Sequence, residues 1–252
     1  MKIGVIGLGL IGGSIFKALK DKYEVIGVST SVEGKNISKD YDSLKDCKLI
    51  FVCTPMNITL EILNKLETIL PASAIVTDVC SLKEFVSKKR YSYKFIPSHP
   101  MAGTENSGWK NSFAELFQGA KWVITPLEGK ILEEQSILEQ VIESIGAKIV
   151  ITTPKEHDEA VALISHMPMI LAQALCENIK NNKLAQELAS SGFRDTTRLA
   201  LSNTQMATDM VSLNRENILN TLSLTQKSLD NLLNKEYENN ARLIQEFRRN
   251  LY

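Results

Sequence analysis

The stretch from Lys2 to Leu19 restricts the fold more than any other. Ile3, Val5 and Ile6 read as a buried strand, and Gly7, Gly9 and Gly12 form a G-x-G-x-x-G turn. Ile11, Ile15, Ala18 and Leu19 then recur at helical spacing, so strand, turn and helix follow in immediate succession. Glycines also simply make turns, but here both flanking elements that a phosphate-binding turn needs are present. Gly7 permits the tight turn, Gly9 admits a pyrophosphate to the backbone, and Gly12 allows the helix close to the strand. The residues expected to contact a dinucleotide are Gly7, Leu8, Gly9, Leu10, Ile11 and Gly12.

Further strands are predicted at Glu24–Val28, 48–53, 74–78, 95–96, 121–125 and 147–152. Helical patterns alternate with them, among them Ile58, Ile62, Leu66 and Ile69, a helix beginning near Leu82, and Leu138, Val141, Ile142 and Ile145. That alternation predicts an α/β domain, a doubly wound parallel sheet over residues 1–153. In such a sheet ligands bind beyond the carboxyl ends of the strands, which places Thr54, Pro55, Asp78 and Ser81 beside the glycine turn. From Pro154 the strand patterns vanish and helical periodicity runs to the end, predicting an all-α C-terminal domain over 154–252. Its amphipathic repeats, such as Ile218, Leu222, Leu229 and Leu233, suit packing against a second subunit or against the first domain.

The 252 residues carry 29 basic and 29 acidic side chains. No basic field favours nucleic acid, so a small-molecule partner is expected. Four cysteines without C-x-x-C spacing predict reduced thiols, a cytoplasmic location and no metal site. No signal peptide is recognised, and no apolar run approaches the roughly 20 residues that cross a bilayer, so no membrane association is expected.

Ser29 and Thr30 end the second strand where an acidic residue would bind the ribose 2′-hydroxyl of NAD. Hydroxyl groups there neither repel a 2′-phosphate nor exclude NAD, leaving NADP or NAD as the cofactor. A nicotinamide enzyme that oxidises an alcohol needs a proton acceptor, and the chain has three histidines. His99 lies in a loop at a strand end between Pro97 and Pro100. His157, next to Asp158, reads as a structural histidine. His166 precedes Pro168, whose missing N–H should loosen the helix beside Ser165 and His166. Arg194 and Arg198 share one helical face, with Asp195 in reach of Arg198; the group is a carboxylate clamp or an ordinary solvated ion pair.

An ordered set of motifs ties these residues together: GLGLIGGS at 7–14, TDVCSLK at 77–83, SHPMAGTE at 98–105, SHMP at 165–168 and GFRDTTR at 192–198. The chain resembles the prephenate and arogenate dehydrogenases of tyrosine biosynthesis over nearly its whole length. The resemblance implies a Rossmann-type domain, a dimer formed through the C-terminal helices, and oxidative decarboxylation of prephenate or arogenate with hydride transfer to NAD(P)+. It implies that His99 takes the ring hydroxyl proton and that Ser81 orients His99. By the same resemblance Arg198 binds a substrate carboxylate, His166 and Ser165 line the pocket, and Glu105 stands at its entrance. A dehydrogenase for another small acid and a non-catalytic nucleotide sensor are the competing readings of the same architecture.

Overall fold

The computed structural model describes residues 1–104, 106–127, 133–233 and 236–251. The chain begins with β1 (Lys2–Ile6), α1 (Leu10–Leu19), β2 (Glu24–Val28), β3 (Ile37–Ser38), β4 (Leu49–Val52), α2 (Met56–Leu66), β5 (Ile75–Asp78) and β6 (Lys94–Phe95). All six strands pair in parallel in the order β3-β2-β1-β4-β5-β6. The order reverses between β1 and β4, which opens a crevice beyond the strand ends.

β4 and β5 are buried at every position, as a sheet covered on both faces requires. Because side chains alternate along a strand, Ile3, Val5, Leu49 and Phe51 join Ile15, Leu19, Leu138 and Ile142 in one core. Ile6, Ile50, Val52 and Val76 join Ile62, Leu63 and Leu66 in the other.

After β6 the chain departs from the predicted continuation of the sheet. β7 (Ser98–Pro100), β8 (Lys121–Ile124) and, after α3 (Gln135–Ser144), β9 (Lys148–Ile151) form a separate three-stranded sheet. β8 runs antiparallel to β7 and parallel to β9. Only Ile96 and Pro97 link β6 to β7, far too few residues for the crossover that a further parallel strand would need. Trp122 on β8 packs edge-on against Phe51, and its indole N–H donates to Ser98 Oγ at 2.9 Å, fastening the small sheet to the large one. The helix expected near Leu82 is replaced by a turn ending in one 3-10 turn, Val86–Lys88. The carboxylate of Asp158 takes the amides of Lys83 and Glu84 at the start of this turn, at 2.8 and 2.9 Å.

The remainder is helical: α4 (Pro154–Val161), a π-helical segment Ala162–His166, α5 (Met167–Ile179), α6 (Lys183–Leu188), α7 (Ser191–Thr196), α8 (Thr204–Leu213), α9 (Arg215–Leu233) and α10 (Tyr237–Asn250). The π segment lies just ahead of Pro168, as expected of a ring that withholds an N–H from the preceding turn. Because the helix widens here rather than ending, Pro154–Ile179 is one continuous helix of 26 residues, within which an 18-residue window has a mean hydropathy of 1.4. This corrects the expectation that no apolar segment is long enough to cross a bilayer. The helix is buried on one side only: His157, Asp158, Ala162, His166 and Met167 face the rest of the chain, whereas Leu163, Ile164 and Leu175 are exposed. On α9 and α10, by contrast, Leu222, Leu229, Leu233, Tyr237, Ile244 and Phe247 are all exposed.

Candidate active site

The glycine turn has the shape its sequence implies. Gly7 adopts φ +84°, and a Cβ there would stand 2.6 Å from the carbonyl oxygen of Cys53. A Cβ on Gly12 would meet the Gly7 carbonyl oxygen at 2.0 Å, so only glycine lets α1 approach β1 this closely. The position of a Cβ on Gly9 is open space. α1 has no side-chain cap and no acidic residue in its first turn, which leaves its leading amides for an anion. The residues present therefore fit a dinucleotide pyrophosphate. Leu8 is buried, whereas Leu10 and Ile11 are half-buried at the turn. At the end of β2, Ser29 Oγ accepts from the amides of Ser31 and Val32 at 3.3 and 3.1 Å, which shapes the turn that exposes Thr30 and Ser31. Thr54 bonds Thr59 through its hydroxyl at 3.0 Å, and exposed Pro55 opens α2.

His99 is not in a loop. It is the middle residue of β7, paired with Val123, and its neighbour Ser98 is held at every polar atom. Ser98 N donates to Asp78 Oδ1 at 3.3 Å, Ser98 Oγ donates to the Asp78 carbonyl at 2.9 Å, and the Ser98 carbonyl accepts from Lys83 Nζ at 2.6 Å. Prolines on both sides stiffen the backbone further. The imidazole is half-buried, with Nδ1 3.0 Å from His157 Nε2. His157 Nδ1 is in turn 2.7 Å from Asp158 Oδ1. His99 Nε2 has no partner among the described residues and is not sealed from solvent. Burial above all, then His157, Lys83 and His166, hold its pKa well below the ordinary histidine value, so the ring is neutral and basic at neutral pH.

His166 is fully buried at the end of the π segment, and desolvation brings its pKa down to about 4 against a smaller upward pull from Asp158. Asn214 Nδ2 donates to the carbonyl of Asp158 at 2.8 Å and to His166 Nδ1 at 3.1 Å. The proton of the neutral ring is therefore on Nε2, a buried donor with no acceptor. Ser165, beside it, is half-buried.

Several expectations change. Asp78 is fully buried, and its carboxylate is committed to Lys83 Nζ and the amides of Cys80 and Ser98, so it is not available to a cofactor. Ser81 donates to Met56 Sδ at 3.4 Å instead of orienting His99; His157 makes that contact. His157 is accordingly buried and bonded to both His99 and Asp158. Arg194 and Arg198 do not share one helix, because α7 ends at Thr196 and Arg198 opens a 3-10 turn, Arg198–Leu201. Asp195 pairs with Arg194 at 3.4 Å, and both are exposed. Arg198 is exposed, with no hydrogen bond or ion pair among the described residues. Glu105 lies outside the described residues. Sequence reasoning missed the roles of Lys83 and Asp158. For Asp158 a signal existed: a His-Asp pair near the start of a helix opened by a Thr153–Glu156 capping box.

A glycine turn open to a pyrophosphate, with a neutral histidine presented at the same end of the sheet, defines a nicotinamide-dependent dehydrogenase. Comparison with known proteins narrows the class. Residues 20–151 match the family description "Prephenate dehydrogenase, nucleotide-binding domain", and residues 153–249 match "Prephenate dehydrogenase, dimerization domain". The chain is 32% identical to a prephenate dehydrogenase of Lactococcus lactis, over 98% of this chain and 74% of that protein. It superposes on the crystal structure of Synechocystis arogenate dehydrogenase with a TM-score of 0.85 and 36% identity, covering 99% of this chain and 98% of the other. The prephenate dehydrogenase of A. aeolicus, solved with hydroxyphenyl propionate and NAD+, gives a TM-score of 0.83 at 26% identity, covering 100% and 96%. The chain belongs to the prephenate dehydrogenase family. It is an NAD(P)-dependent oxidoreductase of tyrosine biosynthesis.

Proposed function

We propose that the substrate is prephenate, oxidatively decarboxylated to 4-hydroxyphenylpyruvate, and that His99 is the base. The supporting observation is the neutral ring of His99, whose Nδ1 is committed to His157 and whose Nε2 is free. Bound NAD(P)+ supplies the hydride acceptor. His99 Nε2 takes the proton of the ring hydroxyl, and the electron pair of that O–H bond forms the carbonyl as the hydrogen on the carbinol carbon leaves with its own pair as hydride. Loss of the ring carboxylate as carbon dioxide leaves its C–C electron pair to the ring, the carbonyl oxygen regains a proton as the phenol, and the aromatic ring so formed drives the reaction. Ser81 borders the same strand ends. Arg198 holds a substrate carboxylate, a reading supported by its unpaired, exposed guanidinium among the described residues. The buried Nε2–H of His166 offers a second donor to the substrate.

Arogenate, which carries an amino group where prephenate has a keto group, is the second reading; the likeness to the Synechocystis arogenate dehydrogenase favours it. NADP+ is accepted beside NAD+, because exposed Thr30 and Ser31, on the turn that buried Ser29 shapes, present hydroxyls where a carboxylate would repel a 2′-phosphate. Two copies join through the exposed apolar faces of α9 and α10.

Initial rates with each substrate and each cofactor test the assignment. Prephenate should give the higher kcat/KM and yield 4-hydroxyphenylpyruvate. A higher value with arogenate transfers the assignment to that acid, and no turnover of either overturns it.

A further inference from the structure

We infer that His157 and Asp158 are positioning residues for His99: they fix its proton on Nδ1, so that Nε2 always presents a lone pair to the substrate hydroxyl. The inference rests on the proposed role of His99 as base and adds what makes that base competent. A neutral imidazole has one N–H and one lone pair, and a ring without a fixed partner exchanges between the two forms. Only the Nδ1–H form can accept a proton at Nε2.

The direction of the chain is set at its far end. Asp158 accepts from the amides of Lys83 and Glu84 at 2.8 and 2.9 Å, so both oxygens are anchored as acceptors. Its third contact, at 2.7 Å, must then come from an Nδ1–H of His157. With its Nδ1–H spent on Asp158, His157 offers the lone pair of Nε2, and the 3.0 Å contact with His99 is donated by His99 Nδ1–H. When His99 gains a proton, the imidazolium retains that donation to His157, with the carboxylate one ring farther on.

The arrangement also joins the two parts of the molecule. His99 stands on β7, whereas His157 and Asp158 come from α4, at the start of the helical region. The capping box of Thr153 and Glu156 fixes the first turn of α4, and Asp158 reaches from there to the turn after β5. The base is aligned only while the helical region is docked in this position.

The tautomer is directly measurable, because the chain has only three histidines and single-histidine variants assign each ring. Nitrogen-15 spectra of the protein without cofactor should show the proton of His99, like that of His157, on Nδ1. A proton on Nε2 of His99 would overturn the inference whatever the kinetics. His157→Leu should give a mixture of tautomers at His99 and lower kcat about 100-fold, with KM changed less than about threefold. His157→Gln, whose carbonyl accepts the same hydrogen bond, should recover kcat to within about tenfold of the unmodified enzyme. If His99→Asn is inactive while His157→Leu keeps its kcat, the positioning role fails and the base survives. An active His99→Asn instead removes the base itself.

Discussion

Lys83 and Asp78 form an ion pair from which water is fully excluded, beside the strand that presents His99. The ammonium also holds the carbonyl of Ser98, so the end of β5 and the start of β7 are fixed by one side chain. Two charges taken out of water are tolerable only when each satisfies the other.

Replacing Lys83 with Met should therefore expose the cost. The variant leaves the Asp78 carboxylate buried without its counter-ion, and should lose about 3–5 kcal/mol in urea unfolding. Adding Asp78→Asn should recover part of that loss. If Lys83→Met alone unfolds within about 1 kcal/mol of the parent, the pair does not hold β7 in place.

Gly12→Ala should damage cofactor binding more than its single methyl group suggests. The new Cβ meets backbone at 2.0 Å, which no side-chain rotation can relieve, so α1 must move away from β1. Titration of reduced nicotinamide fluorescence should show affinity weakened at least about tenfold, with stability falling by about 1–3 kcal/mol. Unchanged affinity would separate the helix terminus from the pyrophosphate site.

The pH profile follows from the sign of the shift at His99. As a base the ring must be neutral, and burial together with His157, Lys83 and His166 lowers its pKa. The acid limb of kcat/KM should therefore fall below the ordinary histidine value of 6.5, with no loss of base function between that value and neutrality. An acid limb centred at or above 6.5 would contradict the lowered value.

The outer faces of α9 and α10 should be covered by a second chain. Leu233, Tyr237 and Phe247 are 83%, 62% and 67% exposed, more apolar surface than an isolated chain keeps in water. Light scattering should give twice the chain mass, and Leu229→Lys combined with Phe247→Lys should give monomer. A doubly substituted chain that remains dimeric would place the contact on another face.

The sequence alone determined the dinucleotide domain. G-x-G-x-x-G between an apolar strand and an amphipathic helix leaves few arrangements, and strands alternating with helices impose a parallel sheet. It also marked His99 and His166 as candidates for chemistry, from prolines that disturb or stiffen the backbone beside them. Tertiary structure alone decided what His99 is bonded to. Its partner, His157, is 58 positions away, and the carboxylate that orients that partner is itself held by amides 75 and 74 positions from it. Periodicity and local motifs report contacts within a turn or between adjacent strands, so they could not distinguish a core histidine on α4 from one that sets a tautomer. Nor could they show that Asp78, at a strand end beside a cofactor crevice, points into the protein to meet Lys83.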